Sequence, residues 1–172
     1  GTSWAAMSSG TTESLMGIWG SSATDVFAVG YGGTIGIILR YDGTSWAPMW
    51  SGTTLWLYGI WGSSATHFFA VGSGGTILRY DGTSWAAMSS GTTETLTGIW
   101  GSSATNVFAV GRSGTIIKYD GTSWTAMSSG AWQDLEAIWG NSATSSFAVG
   151  YRGTILRYDG TSWAAMSSGT TE

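Results

Sequence analysis

Apolar residues come in short bursts along this chain, each four to eight residues long and closed by Gly, Ser or an Asp-Gly pair. No stretch follows a helical period, and short apolar runs between turn residues predict strands. Leu15 to Gly20 (LMGIWG) reads as a first strand, SSAT as a turn, and Asp25 to Gly30 (DVFAVG) as a second strand. The apolar side chains of the second run fall on both of its faces, which implies a strand covered on both sides. A Gly-rich turn and a third strand follow, seen most simply as Gly75 to Asp81 (GTILRYD); an Asp-Gly turn then leads to a fourth, Thr83 to Met88 (TSWAAM).

This four-strand unit recurs. Gly-Thr-Ser-Trp places its tryptophan at Trp4, Trp46, Trp85, Trp124 and Trp163; Ile-Trp-Gly gives Trp19, Trp61, Trp100 and Trp139; Phe-Ala-Val-Gly starts at Phe27, Phe69, Phe108 and Phe147. The period is 39 residues, stretched to 42 in the first unit by three extra residues within Gly33 to Arg40, read as a bulge or a lengthened turn. Gly160 to Glu172 repeats Gly1 to Glu13 letter for letter. Four antiparallel strands per 39 residues is the arithmetic of a β-propeller blade. The expected architecture is therefore a single all-β propeller domain over 1–172: an outer strand in 1–13, then blades over 14–52, 53–91, 92–130 and 131–172. The lone proline, Pro48, falls in a fourth strand, where an edge tolerates the missing donor.

Composition narrows the chemistry. Charged residues make up 9% of the 172, and six basic side chains against ten acidic ones give a net charge of −4, which offers nothing to a phosphate backbone. Nucleic acid is excluded as an expected partner, and no apolar run reaches the roughly 18 residues of a membrane span. With no cysteine and one histidine, thiol chemistry, disulfides and histidine metal clusters drop out, and no cofactor is implied. Twelve Trp, seven Tyr and five Phe set the chain apart from a flexible Gly/Ser linker.

The pattern WGSSATxxFAVGxxGTILRYDGTSWAAMSSGTT resembles a class of bacterial Trp-rich β-propeller repeats, often found in secreted or surface proteins. It is more distantly similar to tachylectin-like and photosystem-assembly-factor-like propellers. The resemblance implies the fold and a secreted or cell-surface location; it is weak for function, since propellers host lectins, protein platforms and hydrolases alike. The signatures of WD repeats and of calcium-binding integrin blades are absent.

Positions identical in every unit are expected to build the blade. The repeat tryptophans read as wedges between blades. Asp42, Asp81, Asp120 and Asp159 read as turn residues, because no second carboxylate lies close enough in sequence to complete an oxygen cage. Arg40, Arg79, Lys118 and Arg157 read as structural charges, and His67 as a turn residue in the slot held elsewhere by Asp25, Asn106 and Ser145. Asp134 and Glu136 are the one close non-repeating acidic pair.

Individual chemistry must then sit where the units differ. Two connections diverge, between strands two and three and between successive blades, and a four-stranded meander brings both to the same end. That end collects Tyr31, Trp50, Trp56, Tyr58, Arg112, Trp132, Tyr151 and Arg152 as candidate ligand-binding residues. Aromatic platforms with a few hydrogen-bonding groups suit sugar rings and peptide segments alike. The expected function is non-catalytic recognition, with a glycan as first ligand and a protein-interaction or self-assembly scaffold as the alternative. An enzyme is not expected, for want of a catalytic constellation. Because two copies of the same fourth strand, Thr2 to Met7 and Thr161 to Met166, compete for one place, three arrangements stay open: a closed four-bladed ring, two chains sharing eight blades, or part of a longer ring, with self-association through unfinished blade edges.

Overall fold

The structure is a computed structural model that describes Ser3 and residues 5–169. Sixteen strands form four separate antiparallel sheets, each a four-stranded meander in chain order. The first blade comprises β1 (Ser14–Ser22), β2 (Asp25–Gly32), β3 (Ile35–Tyr41) and β4 (Trp46–Met49); the second β5 (Leu57–Ser64), β6 (His67–Gly72), β7 (Ile77–Tyr80) and β8 (Trp85–Met88). The third holds β9 (Leu96–Ser103), β10 (Asn106–Gly111), β11 (Ile116–Tyr119) and β12 (Trp124–Met127); the fourth β13 (Leu135–Ser142), β14 (Ser145–Gly150), β15 (Thr154–Tyr158) and β16 (Trp163–Met166). The outer strand expected over Thr2–Met7 lies partly outside the described residues, and the described positions there join no sheet.

The blades stack through their inner strands, β1 against β5, β5 against β9 and β9 against β13. Each joint has its own core. Phe27, Val29 and Ile38 of the first blade meet Leu57, Phe68, Leu78 and Tyr80 of the second. The same positions recur between the second and third blades, around Phe69, Val71 and Tyr119, and between the third and fourth, around Phe108, Val110 and Tyr158. The repeat tryptophans act as wedges here. Trp19 meets the Phe68 ring edge-on at 4.7 Å, and the rings of Trp61 and Trp100 lie over Gly101 and Gly140, where any side chain would collide. Among the described residues no such core joins the fourth blade back to the first, so the four blades form an arc.

Each Asp-Gly hairpin is tied by its own aspartate. Oδ1 of Asp81 accepts hydrogen bonds from the Thr83 amide (2.8 Å), the Thr83 hydroxyl (2.7 Å) and the Ser84 amide (2.9 Å), and Asp42, Asp120 and Asp159 repeat the set. These donors hold each carboxyl down at about 2.

The three extra residues of the first unit form neither a bulge nor a longer turn. They extend the ladder, so that β2 and β3 stay paired out to Gly32 and Ile35 and turn through two residues. The other blades turn earlier, through the short 3-10 segments Ser73–Gly75, Arg112–Gly114 and Tyr151–Gly153. Extra Ile residues with strand propensity continue the pairing that glycine and serine interrupt elsewhere.

Candidate functional site

The two variable connections are fastened together by backbone. The Ser73 amide donates to the Trp56 carbonyl, Arg112 to Thr95 and Tyr151 to Asp134, each at 2.9–3.0 Å. The glycine before each of these donors, Gly72, Gly111 or Gly150, lies so close to that same carbonyl that no Cβ fits. The repeat therefore fixes the backbone of this end while leaving its side chains free to differ.

Three groupings result. On the first two blades, Tyr31 stacks on Trp56 with ring centroids 4.3 Å apart and planes 15° apart, and Tyr58 meets Tyr31 edge-on at 6.2 Å. The Trp56 Nε1 donates to the Gly33 carbonyl at 3.3 Å and the Ser73 hydroxyl to the Tyr58 hydroxyl at 3.4 Å, so the extended hairpin of the first blade holds this cluster. On the fourth blade, Trp132, Gln133, Asp134, Tyr151 and Arg152 line a cleft of about 280 Å³, with the Arg152 guanidinium 5.6 Å above the Trp132 ring. Trp132 and Tyr151 stand 69% and 61% exposed, open to a partner.

The third grouping joins all four blades. Tyr58, Arg112, Asp134, Glu136 and Tyr151 line a cleft of about 370 Å³ on the concave side of the arc, with Met16 and Thr97 beside them. Asp134 is held in place there, its Oδ1 accepting the Ser113 amide at 2.9 Å. Thr97 donates to the Leu135 carbonyl at 2.5 Å across the joint between the third and fourth blades.

Of the residues expected at this end, Tyr58, Arg112 and Tyr151 share the central cleft, Tyr151 also lines the one beside Trp132 and Arg152, and Tyr31 and Trp56 flank Tyr58. Trp50 stands apart, 87% exposed beside Ile35, Pro48 and Met49. Met16, Thr97 and Glu136 were not anticipated as lining. They occupy the inner-strand position of Tyr58 in the other three units, and the same inequality between repeats would have found them. A larger groove of about 620 Å³ beside Ser89 to Glu94 is built from the recurring SSGTTE connection, and Ser8 to Glu13 line a similar groove. It belongs to the repeat.

His67 lies at the start of β6, and burial, followed by the Arg79 charge, lowers its pKa. Among the described residues no three His, Cys, Asp or Glu side chains gather as a metal site would require.

No known protein family and no curated protein matches the sequence. Solved structures do. YCF48 from Cyanidioschyzon merolae superposes with TM-score 0.67 at 17% identity, over 90% of this chain and 56% of that one. A structure of YCF48 bound to D1 peptide gives TM-score 0.70 at 16% identity, over 91% and 54%. The computationally designed Ika8 protein gives 0.67 at 17%, over 86% and 46%. At these identities the likeness establishes the fold, a β-propeller, and the chain spans about half the length of each of the structures it matches.

Proposed function

We propose that this chain is a non-catalytic binding module that takes a protein segment at the concave cleft. The observation that carries the reading is the mixed lining: Arg112, Asp134 and Glu136 share the cleft with the aromatic rings of Tyr58 and Tyr151. An extended peptide presents amide groups, side-chain charges and apolar stems in succession, which such a lining can pair one by one. The structure of YCF48 bound to D1 peptide, a protein of similar fold, supports a peptide as the class of ligand.

A glycan is the less well supported ligand. Sugar stacking needs free ring faces, and one face of Trp56 is covered by Tyr31 while Arg152 lies over Trp132. The test pairs a randomised peptide display with a glycan array on the same preparation. Peptides retained by the native chain and lost on Tyr58→Ala or Arg112→Ala would support the reading. Glycan binding that depends on Trp132, with no peptide retained, would overturn it.

A further inference from the structure

The chain carries six basic residues, and four of them, Arg40, Arg79, Lys118 and Arg157, hold one repeat position. The other two, Arg112 and Arg152, fall in the second-to-third strand turns of the third and fourth blades. Neither meets a carboxylate: among the described residues the one ion pair joins Arg40 to Asp25. Arg152 lies over the Trp132 ring, a contact that restrains the guanidinium and leaves its N–H groups free to donate.

What is missing beside Arg152 is the carboxylate that the repeat supplies at this place elsewhere. Glu13, Leu55, Glu94 and Gln133 hold one position, on the connection into each blade. Where a turn has a 3-10 segment, that position meets its middle residue. Leu55 Cδ1 lies 3.5 Å from a Cβ built on Gly74, and the Ser113 hydroxyl donates to Glu94 Oε2 at 3.4 Å. In the fourth blade the middle residue is Arg152, the strongest partner a carboxylate could have there, and the facing position holds the neutral Gln133. Gln133 Oε1 accepts the Trp132 amide at 3.3 Å, so the NH2 end of its amide is left to donate. Asp134 brings a carboxylate to the same cleft, but its Oδ1 is taken by the Ser113 amide in the turn of the third blade, and it makes no ion pair with Arg152.

Access to the cleft does not depend on where the blade stands in the arc. The position of Trp132 is exposed at Thr54 and Thr93, and that of Arg152 at Gly74 and Ser113, in blades with a neighbour on each side.

We propose that the Trp132–Arg152 cleft is a second subsite of the peptide groove and takes a carboxylate of the ligand, set where the third blade places its own Glu94. Arg152 holds the carboxylate oxygens with the Gln133 amide beside it, and an adjoining apolar side chain lies against Trp132 and Tyr151. The inference rests on the peptide reading above; Asp134 and Tyr151, which line both clefts, join this subsite to the central one. An acidic side chain and a free chain end present the same group, and the test separates them.

Randomised peptides displayed to the native chain and to Gln133→Glu provide the test, because the variant returns the carboxylate of the repeat to Arg152. Both proteins should retain peptides through the central cleft, and only the native chain should enrich those bearing a carboxylate. One retained acidic peptide, labelled with fluorescein, then gives affinities by anisotropy. Changing its Asp or Glu residues singly to Asn or Gln, and amidating its end, identifies the group that is bound; the responsible change should weaken binding about tenfold. Gln133→Glu and Arg152→Gln should weaken the acidic peptide by a similar factor and leave the neutralised peptide unaffected. Peptides retained with no acidic preference, or an affinity indifferent to both variants, would overturn the carboxylate subsite and leave the peptide reading standing. A native chain that retains no peptide would overturn both.

Discussion

Trp100 and Trp139 are the same residue at the same place in consecutive repeats, on strands with the same pairing register. Trp100 lies on Gly140 within a joint core; Trp139 belongs to none of the three joint cores and is 61% exposed. Burial here belongs to the neighbour as much as to the residue. A repeat encodes half of an interface on each face, and only the next copy turns the half into stability. The largest expected effect follows. Trp100→Ala should cost about 3 kcal/mol, as large-to-small changes in packed cores do. Trp139→Ala, measured by denaturant titration, should change stability by less than about 0.5 kcal/mol. Equal losses at the two positions would mean that Trp139 is covered after all.

Most of the fold was legible because the repeat states it four times. Strand order, the Asp-Gly hairpins and the inter-blade role of tryptophan all follow from letters that recur in register. What the repeat cannot convey is whether a given copy has neighbours on both sides, and so Trp139 reads as a wedge between blades although it is exposed. The candidate site was legible in part for the same reason. Unequal positions on the loops pointed to Tyr58, Arg112 and Tyr151, which do converge. Met16 escaped notice because it lies on a strand, where inequality suggests packing, and Glu136 stood out as half of an acidic pair with Asp134 without being placed at the ligand-binding end. The opposite error is Trp50, whose conspicuous side chain sits on the outer edge, away from the cleft.

The hairpin aspartates sharpen the comparison from the other side, since identical letters there have identical partners supplied by their own turn. Their response should not depend on position in the arc. Each folded carboxyl titrates at about 2 against an ordinary 3.8, so the carboxylate form favours the native state above pH 3.8, and that contribution disappears as pH falls towards 2. Acid titration followed by circular dichroism should show stability falling across this window. Asp81→Ala in an inner blade and Asp159→Ala in the last should reduce the slope alike. A marked difference between them would tie these turns to the joints.

Unlike letters on a shared backbone offer a third case. The middle residue of the second-to-third strand turn is left-handed in three blades, with φ of 60° at Gly74, 55° at Ser113 and 56° at Arg152. Glycine takes this conformation freely, whereas a residue with a Cβ pays about 1 kcal/mol. Arg152→Gly should therefore raise stability by up to about 1 kcal/mol while removing the guanidinium from above Trp132. Strain retained at a surface arginine is expected where the side chain serves a ligand. If Arg152→Gly bound selected peptides as well as the native chain, Arg152 would have no part in the site.

The smallest effect belongs to His67, which replaces Asp25 of the first blade. Asp25 accepts an ion pair from Arg40 at 2.9 Å, and Asn106 in the third blade donates to Ser102 at 2.7 Å. His67 faces Arg79 instead, and its Nε2 is buried without a hydrogen-bond partner. Burial and the like charge lower its folded pKa below the ordinary 6.5. Between those two values the unfolded chain binds the proton more readily, so stability declines as pH drops below 6.5 and stays lower beneath the folded pKa. His67→Asn should flatten the stability profile below pH 6.5 without changing it at pH 8, because the neutral amide has nothing to titrate. His67→Asp should go further, restoring against Arg79 the pair that Asp25 makes with Arg40. A profile below pH 6.5 that is unchanged by His67→Asn would show that the histidine escapes Arg79 and the surrounding apolar wall by turning outward.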